Sequence, residues 1–119
     1  PAALAGALPK LAPLGLAVAK ATTLQEVTAA DVALTRAVVE ATGNVFLNTI
    51  FNAVEHLMTE VPMVAEACYG DRAAHERAVV GILGALALPA EQASAAIIQS
   101  MEPWDTASVE RFREAYAAS

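Results

Sequence analysis

The stretch that most constrains this chain runs from Gly43 to Val61. Phe46, Ile50, Val54, Leu57 and Val61 recur every three or four residues, with Leu47, Phe51 and Met58 beside them. That period matches one face of an α-helix and no strand. Asn48, Asn52 and the pair Glu55-His56 form a polar face opposite the Phe46/Ile50 stripe, expected to be solvated surface or a subunit contact. Gly43-Asn44 supplies the punctuation. Glycine takes the left-handed conformation that closes one helix, and asparagine caps the next through its side-chain oxygen. At the other end, Pro62 is expected to kink or interrupt the helix.

The same reasoning extends along the chain. Ala5 to Ala21 reads as one or two alanine- and leucine-rich helices, with Leu8, Leu11, Leu14 and Leu16 on an apolar side and Pro9 and Pro13 each starting or bending a turn. Thr22 or Thr23 can cap the next helix, with Glu26 in capping-box spacing after Thr23. A helix from about Ala29 to Thr42 carries Val32, Leu34, Ala37, Val38 and Ala41 as a core stripe. Tyr69-Gly70-Asp71 is a second stop and cap. Beyond it, Arg72 to about Leu86 forms a helix with Ala78, Ile82, Leu83 and Leu86 inward. Leu88-Pro89 starts a helix that buries Ala93, Ala96, Ile97 and Met101. Glu102-Pro103-Trp104-Asp105 is expected to break it, with Asp105 capping a last helix through Val109, Phe112 and Tyr116. No segment of period-two alternation bounded by hairpin turns competes. The fold class expected is all-α, an antiparallel bundle of about six to seven helices in a single domain over residues 1–119.

Composition narrows the function. Apolar residues make up 56% of the 119, much of it alanine, and only 17% are charged. Such a chain suits helices that approach closely or a surface covered by a partner. No apolar run approaches the roughly 20 residues of a membrane span, and no signal peptide opens the chain, so a soluble, cytoplasmic protein is expected. The net charge of -6 and the scattered basic residues argue against direct nucleic-acid binding. The lone Cys68 excludes an internal disulfide and suits a reducing compartment.

Motifs for catalysis are missing. There is no phosphate loop, nucleophile elbow, zincin His-Glu pair or paired cysteine, so no catalytic residue and no enzyme is expected. Cys68 and His75 can be neighbours across a turn, though a small buried thiol near a helix end is the ordinary reading of such a cysteine. Asp31 and His75 sit near apolar positions on their helices, where an ionisable group needs a partner, a metal or a ligand. Asp31 also fits a first-turn acid favoured by the helix dipole, and His75 a neutral ring bonded to backbone.

The segment from Asp31 through Arg36 to Gly43-Asn44 resembles a stretch of the C-terminal helical ligand-binding (FCD) domain of GntR-family, FadR-type transcription regulators. Leu11-Ala12-Pro13-Leu14 through Ala21-Thr22 resembles the domain's opening helix. His75 with its alanine-rich helix, and the helix from Ala93 to Met101, resemble its closing pair. The resemblance implies a small-molecule-sensing, homodimerising domain of a transcription regulator, with a winged helix-turn-helix upstream that contacts DNA. It also implies an organic acid or related metabolite as effector, bound beside a metal held by one aspartate and three histidines. Asp31 and His75 match two of those positions. Thr35 stands where a second histidine is expected, and Gln99, Ser100 and Met101 occupy the region of the third. Asp31, Thr35, His75, Gln99 and Ser100 are therefore expected to outline an effector pocket over a vestigial metal site, with neither a bound metal nor another cofactor. The family places another helix where only Thr23 to Ala30 stand here, so the chain is expected to be a fragment of a longer regulator or to lack that helix. The alternative reading is a helical structural or protein-interaction module without a physiological ligand.

Overall fold

A computed structural model describes residues 2–119, whose backbone forms six helices and, among the described residues, no strand. The all-α bundle expected from the periodicity is what the chain adopts. Its boundaries are set by local chemistry. Helix α1 spans Ala2–Lys20. Pro9 and Pro13 lie four residues apart on its exposed side, where water can satisfy the carbonyls that their missing N–H groups leave free, so the helix continues through both. Helix α2, Leu24–Thr42, begins five residues earlier than the expected Ala29. The capping box accounts for this: the Thr23 hydroxyl accepts from the Glu26 N–H at 3.1 Å. The Glu26 carboxylate reaches back to the N–H of Thr22 at 3.0 Å, which holds that carboxyl below its ordinary pKa.

Gly43 closes α2 with φ of 66°, the one positive φ among the described residues. Asn44 then opens α3, Val45–Glu60, by accepting from the N–H groups of Phe46 and Leu47. Pro62 starts α4, Pro62–Tyr69, at its first position. Asp71 caps α5, Arg72–Ala85, through the Ala74 N–H. Gly70 keeps right-handed geometry, so the break between α4 and α5 rests on the Asp71 cap rather than on a left-handed glycine. Helix α6 runs unbroken over Ala90–Ala118. The expected break at Glu102–Asp105 does not occur. Pro103 is exposed and lies inside the helix, and the turns after it are lashed to α4 by Trp104 and Arg111.

α1 packs on α2, α5 on α6, and α4 against α6. Leu11 and Val18 from α1, Val27 and Leu34 from α2, Tyr69 from α4 and Val79 from α5 form the centre of the core. Leu16, expected on the apolar side of α1, is 54% exposed. On α5 and α6, Ala78, Leu86 and Ala93 are buried as expected, while Ile82, Leu83, Ala96, Ile97 and Met101 are only half-buried. Helix α3 departs furthest. Phe51 is its one fully buried side chain, and Phe46 and Ile50 are 81% and 61% exposed. Its polar side instead turns toward α2, where the Arg36 guanidinium meets Asn52 and Glu55 and lies 5.0 Å from the centre of the Phe51 ring. At this crossing Asn52 and Glu55 accept from Arg36 and Phe51 offers it a ring face.

Candidate functional site

Asp31 and His75, 44 residues apart in sequence, meet in the core. Asp31 is placed in the second turn of α2 by the Thr23 cap, and His75 in the first turn of α5 by the Asp71 cap. His75 Nε2 lies 2.8 Å from Asp31 Oδ1, and the Tyr69 hydroxyl donates to Asp31 Oδ2 at 2.6 Å. All three side chains are buried. A carboxylate out of water needs donors on both oxygens, and this one has them. Nε2 is the ring nitrogen that meets the carboxylate, and Nδ1 is the other. Nδ1 is buried without a protein partner.

Aromatic rings enclose the pair. The Tyr69 and His75 rings meet edge to face with centroids 4.9 Å apart, and the Trp104 ring lies 5.1 Å from His75. Trp104 Nε1 donates to the Cys68 carbonyl at 2.6 Å, and Arg111 Nε to the Ala67 carbonyl at 2.8 Å. These bonds serve the carbonyls at the end of α4, which no helical N–H can reach. Burial, and after it the Asp31 charge, drives the Tyr69 phenol far above the usual tyrosine range. Burial likewise raises the Cys68 thiol, keeping it protonated and a poor nucleophile.

The other expected site residues lie differently. Thr35 is half-buried one turn beyond Asp31, and Gln99 is exposed. The Ser100 hydroxyl donates back to the Ala96 carbonyl at 2.9 Å, and its side chain packs directly on the backbone of Gly81. Neither Gln99 nor Ser100 bonds to Asp31 or His75. Two shallow grooves lie elsewhere, one between α1 and α2 beside Lys10 and Glu40, the other beside Ala19, Arg77 and Val80. Tyr69 and Trp104, which complete the cluster, escape sequence reasoning because both sit in segments that read as breaks. A buried aspartate's need for a second donor is the signal that points to a tyrosine.

The donor set does not fit the aspartate-and-three-histidine metal site. Asp31 and His75 are bonded to each other, Thr35 and Ser100 are weak ligands, and among the described residues no three His, Cys, Asp or Glu side chains converge. No family model matches the chain, and no curated protein or solved structure is significantly similar to it.

Proposed function

We propose that this domain is a helical protein-interaction module whose working surface is the outer face of α3. One observation carries the reading. Phe46, Leu47, Ile50, Val54 and Leu57 share one side of an α-helix that is 37 to 81% exposed at those positions and holds no charged residue. A contiguous apolar patch of that kind is uncommon on an isolated domain and marks a contact surface. The buried Asp31–Tyr69–His75 cluster has a supporting part: it fixes α2, α4 and α5 relative to one another and so holds the platform from which α3 projects. A photo-crosslinking residue placed at Ile50, and in parallel at the equally exposed Ile98 of α6, tests this in cells. Protein adducts at position 50 are expected. A chain that gives none at 50 is not using this face.

A second reading keeps the sensing domain of a transcription regulator, with DNA contacted by an upstream domain and a small organic acid as effector. The buried, singly bonded His75 is the observation in its favour, since Nδ1 is a buried polar atom without a protein partner. Mass spectrometry of gently purified protein, paired with nitrogen NMR of His75, tests it. A co-purified acid that moves the Nδ1 resonance is expected on this reading, and an unchanged resonance with every acid found removes it.

A further inference from the structure

We infer that the occupant of the α3 face is α3 of a second copy of this chain, laid antiparallel across a two-fold axis level with Asn52. This rests on the interaction reading above and names its partner. The first argument is self-complementarity. Reflecting the sequence about position 52 sets Leu47 against Leu57 and Ile50 against Val54, and places Phe46 level with Met58, which is half-buried against its own core. Four of the five exposed apolar side chains of the stripe thus meet one another, as a two-fold interface requires of the same patch on both partners. Residues i, i+3, i+4 and i+7 on facing helices interdigitate at a shallow crossing angle.

Charge gives the second argument. The chain carries a net charge of -6, which sets two copies against each other everywhere except on a neutral surface. The α3 stripe is that surface. The same pairing lays Glu60, exposed at the C-terminal end of one α3, over the Asn44 end of the other, where the helix dipole is positive. An anionic lipid surface suits the face poorly, because the exposed Glu60 lies beside the stripe with no lysine to answer the headgroups.

Area gives the third. The five stripe residues present on the order of 500 Å² per partner, the size of a small interface. The bundle measures 45 by 26 by 24 Å, so an interface of that size is a small share of its surface.

Sedimentation equilibrium of the full chain at tens of micromolar reads the result. The parent is expected at twice the 12.3 kDa of one chain. Ile50→Glu is expected to weaken association by at least about a hundredfold, because each dimer then loses two apolar contacts and gains two buried charges. Far-UV circular dichroism should stay unchanged, since Ile50 has little contact with its own chain. Ile98→Glu, equally exposed on α6, should leave the dimer intact. A monomeric parent, or a dimer insensitive to Ile50→Glu, overturns the inference. If the parent is monomeric while position 50 still crosslinks to a different protein, the interaction reading stands and self-pairing alone falls. Orientation is read by disulfide formation in a Cys68→Ser background. Leu47→Cys mixed with Leu57→Cys should link faster than either variant alone. Faster linking within each variant shows a parallel pair and overturns the antiparallel arrangement.

Discussion

At the scale of single residues, the chain commits its buried Asp31 carboxylate to two donors. Asp31→Ala would strand the Tyr69 hydroxyl and the His75 ring nitrogen out of water. A loss of roughly 2–5 kcal/mol is expected, the cost of leaving two buried donors without an acceptor. Asp31→Asn keeps one acceptor and should cost less, and urea denaturation of the two variants measures the gap. Tyr69 makes a second expectation. Its pKa is raised in the folded protein above the value near 10 of an unfolded tyrosine. The folded state therefore holds this proton more tightly. The resulting stability is fully present below about pH 10 and is lost as pH rises above it. Thermal melts between about pH 8 and 11 should show that decline, and Tyr69→Phe should flatten it while lowering stability at neutral pH. Half of this cluster is legible in the sequence. Asp31 and His75 are recognisable as ionisable groups on apolar faces, whereas Tyr69 reads as part of a turn. Its hydroxyl finds Asp31 only because α4 runs on to Tyr69 before the Asp71 cap opens the next helix.

Helices show the same division between local and long-range information. The caps at Thr23, Asn44 and Asp71 and the start at Pro62 act through neighbours within four residues, so short motifs locate them. Pro103 shows where such motifs fall short. A proline signals a break, yet bonds from Trp104 and Arg111 to carbonyls some 36 and 44 positions away hold α6 together beyond it. Periodicity locates α3 correctly but does not say which side faces inward. The side that faces α2 is the one that meets Arg36. Arg36→Ala removes the ion pair with Glu55, the bond to Asn52 and the contact with the Phe51 ring. Because the ion pair is partly exposed, a cost of about 1–2 kcal/mol is expected. Hydrogen exchange should locate it. Protection should fall first in α3, with the amides of α2 and α5 little changed, whereas uniform loss would mean that Arg36 supports the whole bundle.

For the whole molecule, core and surface are unevenly divided. α1, α2, α4, α5 and the near half of α6 enclose the packed centre, while the outer face of α3 and the turns of α6 carrying Phe112 and Tyr116 remain outside it. Composition hints at this imbalance, since an apolar share of 56% is above that of an ordinary soluble domain. It does not say which helix is left uncovered. Among the described residues no helix is long and apolar enough to cross a membrane. Under the proposed self-pairing, the neutral stripe on an acidic body would also set how the assembly answers to ionic strength. Mobile ions shrink the repulsion between two negatively charged chains and leave apolar contact almost untouched. Association should therefore tighten several-fold as sodium chloride rises from about 20 mM to about 500 mM, read by sedimentation across that range. A protein held to a polyanion loosens over the same range. Under the proposed pairing, then, salt would act as an adhesive: the dilute buffers that preserve most charge-built complexes are the ones in which the copies should part.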